Sequence, residues 1–141
     1  MTDELKAHGL QFDNSFADQL EGFYVPWKAE KVKHPTLLHW NESVALKLGW
    51  EGDLQPEVLA SVFSGNQSIE GMKPIAQAYA GHQFGGFSPQ LGDGRALLLG
   101  EVVNSNRERH DLALKGSGPT PFSRGGDGRC LLYTSDAADE E

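Results

Sequence analysis

Apolar residues come in three short clusters between residues 42 and 80, and each cluster is opened by a capping residue or proline and closed by a glycine. Asn41 stands where an N-cap belongs for Glu42–Leu48, and Gly49 follows as the C′ stop. Gln55 and Pro56 open a second segment that runs to Phe63 and is closed by Gly65. Pro74 suits the first turn of a third segment over 74–80, ended by Gly81. The spacing therefore predicts three short helices. Helices of this length are marginal alone and need a surface to pack on.

From residue 91 the pattern changes to that of strands. Residues 95–103 form an apolar run containing Leu97, Leu98, Leu99, Val102 and Val103, and 104–109 form a polar turn. Residues 111–115 alternate, with Leu112 and Leu114 on one face and Lys115 on the other. An antiparallel pair of strands is expected, with the glycine turn around residue 93 at one end of the sheet and Lys115 pointing toward it from the facing surface. The fold class is α+β. Three zones result: a helical and loop extension over 1–90, a glycine-rich part over 91–129, and a tail over 130–141, CLLYTSDAADEE, that breaks in style from what precedes it.

Composition narrows the picture little. With 38% hydrophobic and 23% charged residues the chain reads as ordinary globular protein, and 141 residues suffice for one core. The net charge of -8 argues against a general nucleic-acid binder, which would carry a basic face. Part of that acidity is a tail effect, from Asp136, Asp139, Glu140 and Glu141. The single cysteine, Cys130, excludes an intramolecular disulfide framework and a zinc-type cysteine cluster. The first ten residues lack the apolar core of a signal peptide, and no apolar run approaches the roughly 20 residues of a membrane span. A cytoplasmic protein without membrane contact is expected; the oligomeric state is not legible.

The chemistry concentrates between residues 91 and 129. Two identical tetrads, Gly92-Asp93-Gly94-Arg95 and Gly126-Asp127-Gly128-Arg129, flank a lone lysine, Lys115. Glycines let backbone approach a ligand closely, consecutive N–H groups form anion-binding nests, and Arg and Lys add charge-assisted donors. A polyphosphate or nucleotide site is one reading. The other is that the Asp-Gly pairs are hairpin turns and Lys115 is a solvated strand residue. Neither the GxxxxGK[ST] loop nor the kinase G-x-G-x-x-G is present, the latter failing at Leu97. His82 has no ligand-spaced partner and reads as structural, and Ser117, Thr120 and Ser123 have no adjacent base that would make nucleophiles of them. Trp27, Trp40 and Trp50, with Phe12, Phe16, Phe23 and Tyr24, read as a small core or as docking residues.

Longer motifs carry a resemblance. Pro74-Ile75-Ala76, Tyr79-Ala80-Gly81-His82-Gln83-Phe84-Gly85 and Gln90-Leu91-Gly92-Asp93-Gly94-Arg95-Ala96 are similar to the SelO family, as are Leu114-Lys115-Gly116-Ser117-Gly118-Pro119-Thr120-Pro121-Phe122-Ser123-Arg124 and the second tetrad. The resemblance runs from about Phe12 to Arg129. It implies the N-terminal lobe of a protein-kinase-like fold, a pseudokinase that binds ATP in a flipped orientation and, with magnesium, moves AMP to Ser, Thr or Tyr hydroxyls of protein substrates with release of pyrophosphate. By motif, Gly92, Gly94 and Arg95 would form the glycine-rich loop, Lys115 would contact phosphate, and Asp127 and Gly128 would also touch ATP. The resemblance puts the catalytic aspartate and the metal ligands beyond Arg129, so no catalytic or metal residue is assigned here and the fragment is expected to be inactive. Residues 130–141 do not resemble the family and read as a non-native, adapter-like tail; Asp136 and Asp139 are not taken as metal ligands. Two other functions remain open: a non-catalytic nucleotide-binding pseudokinase scaffold, and a small interaction protein whose tetrads are merely turns.

Overall fold

The computed structural model describes residues 5–83 and 85–128, the side chains of 81–83 and 88–90 excepted. The elements in chain order are α1 (Ser15–Gln19), β1 (Tyr24–Pro26), α2 (Glu42–Leu48), α3 (Pro56–Phe63), β2 (Ile75–Gln83), β3 (Gly86–Gly92), β4 (Ala96–Val103) and β5 (Arg109–Lys115). The domain is α+β, with an antiparallel sheet in the order β1-β2-β4-β5 and β3 paired with β2.

Two of the three expected helices form where their caps put them. The Asn41 side chain accepts the Val44 N–H, and Gly49 closes α2 in the left-handed region at φ 99°. Pro56 opens α3, and Gly65 follows it at φ 93°. Short as they are, α2 and α3 hold because they contribute to one core. Ala45, Leu59 and Val62 pack with Leu10, Trp50, Ile69 and Val102. Full burial of a side chain such as Val62 or Ile69 stabilises by about 1.5–3 kcal/mol, more than a two-turn helix gains from its own backbone. Trp40, Trp50 and Phe63 form an aromatic cluster at its edge, with Trp40 and Trp50 edge-to-face at 5.4 Å.

The expected helix over 74–80 is instead the start of β2. Alanines at 76, 78 and 80 suggest a helix by propensity, but they also alternate with Ile75, Gln77 and Tyr79 at the period of a strand. Tertiary pairing decides: Ile75 is joined to Pro26 of β1 and to Leu98 of β4, and residues from Ala78 onward pair with β3. Three strands of the sheet, β1, β2 and β3, thus lie wholly or largely before residue 91.

β4 and β5 form the expected antiparallel pair, β5 with its alternate residues exposed. Asn104 shapes their turn. Its Oδ1 accepts the N–H groups of Asn106 and Glu108, and its Nδ2 donates to the Lys47 carbonyl at the end of α2. β4 is buried along almost its whole length, including Glu101. That carboxylate accepts from the Ser15 hydroxyl at 2.8 Å and the Phe16 N–H at 2.7 Å. It thereby caps α1 from a strand 85 residues away in sequence, because Asn14 makes no side-chain cap of its own. Among the described residues no helix is long and apolar enough to cross a membrane.

Gly100 is where β4 meets Phe12. A Cβ there would lie 2.7 Å from the Phe12 ring and 3.0 Å from Asn14 Oδ1. Gly100→Ala is expected to destabilise the domain by about 1–3 kcal/mol through overpacking, and thermal unfolding followed by circular dichroism checks it; an unchanged midpoint would contradict this packing.

Candidate functional site

The first tetrad lies between two strands that run the same way. β3 ends at Gly92, β4 begins at Ala96, and both are antiparallel to β2. The chain therefore does not reverse, and the hairpin reading of Asp93-Gly94 is corrected. Along β2, the steps from Ala78 to Ile75 number three; on the partner side, from Gly92 to Leu98, they number six. The surplus is a looped-out excursion over 93–95.

Residues 116–123 close over that excursion and take its carbonyl groups. The Asp93 carbonyl accepts from Thr120 Oγ1 at 2.5 Å, and the Gly94 carbonyl accepts from the Ser123 hydroxyl. The Arg95 carbonyl accepts the N–H groups of Gly116 at 2.7 Å and Ser117 at 3.1 Å. From the sheet side, the Asp93 N–H donates to the Gln77 carbonyl at 3.0 Å. Among the described residues, no backbone acceptor takes the N–H of Gly94 or Arg95.

Packing forbids a side chain at Gly92 and crowds one at Gly94. A Cβ on Gly92 would run into the Phe122 ring, and one on Gly94 would sit 3.1 Å from the Phe122 carbonyl oxygen. Phe122 in turn joins the second core cluster, with Ala76, Leu97 and Leu99. Lys115 pairs opposite Ala96, immediately after Arg95, and is exposed, while Leu112 and Leu114 lie half-buried on the other face of β5. Lys115, Gly92, Gly94 and Arg95 are therefore gathered at one end of the β4–β5 pair.

The second tetrad is tied in through the same segment. The Gly126 N–H donates to the Ser123 carbonyl, and the Gly128 carbonyl accepts the Gly118 N–H at 2.9 Å. Gly128 is buried at φ 68°, and a Cβ on it would collide with the Gly118 carbonyl. Asp127 is exposed. Arg129, Cys130, Asp136 and Asp139 lie outside the described residues, as does the His82 side chain, whose backbone pairs with Phe87.

Three residues at the loop carry roles that the sequence reading did not give them. Thr120 and Ser123 were weighed there only as nucleophiles, and Phe122 not at all. A hydroxyl residue three positions before another, across Pro121, is a turn signal that could have pointed to the pair. Ser117 is 2% exposed, and its Oγ has no partner among the described residues. Among the described residues there is no group of three or more His, Cys, Asp or Glu that could hold a metal ion. At the loop, Gly94 and Arg95 carry N–H groups with no backbone acceptor among the described residues, and Lys115 is paired opposite the next residue, Ala96. A hollow of about 640 Å³ lies elsewhere, lined by Ala17, Tyr24, Trp27, Lys73 and Ile75, and none of the candidate residues line it.

Burial pushes the Asp93 carboxyl above its ordinary value, opposed by a hydrogen bond from the Gln77 backbone. A raised folded value means that the native state holds the proton more tightly than the unfolded chain does. Asp93 therefore costs stability as pH rises through the window between the ordinary carboxyl value of 3.8 and the raised one. Asp93→Asn keeps an acceptor for Gln77 and removes the charge. It is expected to melt higher than the parent at pH 7, with the difference closing below pH of about 4; a constant difference across pH would contradict the assignment.

The family model for protein adenylyltransferase SelO matches residues 6–135, extending into the 130–141 tail. The protein nucleotidyltransferase YdiU of Cereibacter sphaeroides is 59% identical over 123 residues, which cover 87% of this chain and 26% of the relative. Its namesakes from Sphingopyxis alaskensis and Agrobacterium fabrum are 57% identical over 122 residues and 54% identical over 124 residues, covering 86% and 87% of this chain and 25% and 26% of theirs. The chain thus spans about a quarter of the length of these curated relatives. With nearly all of its length matched by the family model, the chain belongs to the SelO family.

Proposed function

We propose that residues 92–95, Lys115 and the second tetrad form the nucleotide-binding part of a protein adenylyltransferase with a kinase-like fold, and that the parent protein moves AMP from ATP to protein hydroxyls. The observation that carries this reading is the looped-out segment over 93–95. Its carbonyls are all occupied, its Gly94 and Arg95 N–H groups are open, and Lys115 is set beside it by the β4–β5 register. Such an array stabilises a polyphosphate through backbone N–H donors and a charge-assisted lysine bond. The family membership and the names of the relatives support nucleotidyl transfer.

In this reading Gly92, Gly94 and Arg95 shape and line the phosphate loop, Lys115 neutralises phosphate charge, and Asp127 and Gly128 bound the pocket from the second tetrad. ATP supplies an α-phosphorus on which an acceptor hydroxyl displaces pyrophosphate. Positioning and charge neutralisation are what such transfers chiefly require of a protein. This part of the chain contributes binding and orientation. The acid-base group and the magnesium ligands belong to the remaining three quarters of a family protein. ATP and protein substrates are its partners, nucleic acid is not, and the cytoplasm is where it acts.

Lys115→Ala tests the site. Lys115 is exposed, so its removal leaves the core intact. A lost charge-assisted bond of about 1.5–3 kcal/mol corresponds to a roughly 10- to 100-fold weaker Kd for ATP by calorimetric titration, with unchanged thermal unfolding. Unaltered ATP affinity would remove Lys115 from the site. Incubation of the 141-residue chain with labelled ATP, Mg²⁺ and an acceptor protein is expected to give no transferred AMP; robust labelling would place the transfer chemistry within this fragment.

A further inference from the structure

We infer that Thr120 and Ser123 are positioning residues for the nucleotide loop, each orienting one peptide unit so that its N–H faces the ligand. The step rests on the nucleotide-site reading above and adds residues to it.

A trans peptide is planar, with its C=O and N–H pointing in opposite directions. Whatever holds the carbonyl of one residue therefore aims the N–H of the next. Thr120 holds the Asp93 carbonyl and so aims the Gly94 N–H; Ser123 holds the Gly94 carbonyl and so aims the Arg95 N–H. Gly116 and Ser117, both on the Arg95 carbonyl, approach the loop from the same segment. The two N–H groups left without backbone acceptors are thus the two aimed away from the 116–123 segment.

Each hydroxyl is itself fixed in direction. Thr120 Oγ1 accepts the Phe122 N–H at 3.1 Å, and Ser123 Oγ accepts the Thr120 N–H at 2.7 Å. With a lone pair committed to an amide, the hydroxyl proton is directed to the loop carbonyl. The Ser123 N–H closes the turn on the Thr120 carbonyl at 3.1 Å, and Phe122 between them lies against Gly92. Without the two hydroxyl bonds, the glycine-flanked peptide units are free to rotate, because glycine has no Cβ to restrain them. A preorganised donor array then becomes one that must be ordered on binding, at a cost in affinity.

The test titrates ATP into the ¹⁵N-labelled 141-residue chain and its Thr120→Val, Ser123→Ala, Thr120→Ser and Lys115→Ala variants, reading Kd and the ATP-induced shift of each amide, with thermal unfolding in parallel. Thr120→Val is expected to weaken ATP about tenfold and to diminish the response at the Gly94 N–H, and Ser123→Ala to do the same at Arg95. Thr120→Ser, which keeps the hydroxyl, is expected to bind within about twofold of the parent. If Lys115→Ala weakens ATP while Thr120→Val and Ser123→Ala do not, the site stands and the positioning role is overturned. If Thr120→Ser loses as much as Thr120→Val, the hydroxyl is not the cause and the role is likewise overturned. Failure of the parent chain to bind ATP overturns the site reading, and the positioning role with it.

Discussion

The arrangement depends on Ile75. It is 2% exposed, paired with Pro26 on one side and Leu98 on the other, and it starts the strand against which β3 is laid. Because β2 serves three partners, its register fixes where β3 must end and where β4 can begin. The three surplus residues between those points are taken up by the excursion over 93–95, whose first residue still bonds Gln77 of β2. The phosphate loop of the proposed site is therefore a by-product of sheet register rather than a turn added at a sheet edge. A shift of β2 by one residue would exchange its buried and exposed faces and dissolve the loop.

The same glycines answer two demands, and the structure separates them. Gly92 is small because Phe122 occupies the space a side chain would need, and Phe122 ties the 116–123 segment to Ala76, Leu97 and Leu99. Gly128 is small because Gly118 crosses it. These are core constraints that would hold without any ligand. Gly94 is different: its neighbours are backbone atoms at 3.1 Å and 3.2 Å, tight but not prohibitive, and its N–H has no backbone acceptor among the described residues. Packing sets the positions of the glycines, and the open N–H groups are what that packing leaves over.

How much could be read from the chain follows the range of the interactions. α2 and α3 were legible to the residue because their signals, Asn41 with Gly49 and Pro56 with Gly65, act within a turn of the helix they delimit. The β4–β5 pair was legible because its polar turn and alternating strand are contiguous. The segment over 74–80 misled because its alanines satisfy a helix locally, while the strand is imposed by partners as distant as Tyr24 and Leu98. Glu101 as a cap for α1 joins positions 85 residues apart and leaves no mark on either sequence neighbourhood. Of the site, the glycines and Lys115 carried a compositional signal. Thr120 and Ser123 carried at most a turn signal across Pro121, which does not point to the loop they serve, because a hydroxyl that positions backbone has no spacing rule relative to that loop.

Asp93 shows why the loop is held from two sides. A carboxylate next to a phosphate site would repel its ligand if it swung outward, and burial already disfavours its charged form. Its own N–H donates to the Gln77 carbonyl of β2. The sheet thus fixes the backbone of the first residue of the excursion. The opposite side of the loop is fixed by Thr120, Ser123, Gly116 and Ser117 through three consecutive carbonyls. With Asp93 bound to the sheet and the carbonyls bound to the 116–123 segment, the backbone groups at the loop without a backbone partner among the described residues are the N–H donors of Gly94 and Arg95. In the proposed site, such a donor surface would favour an anion, and the neighbouring lysine and arginine would match a polyphosphate.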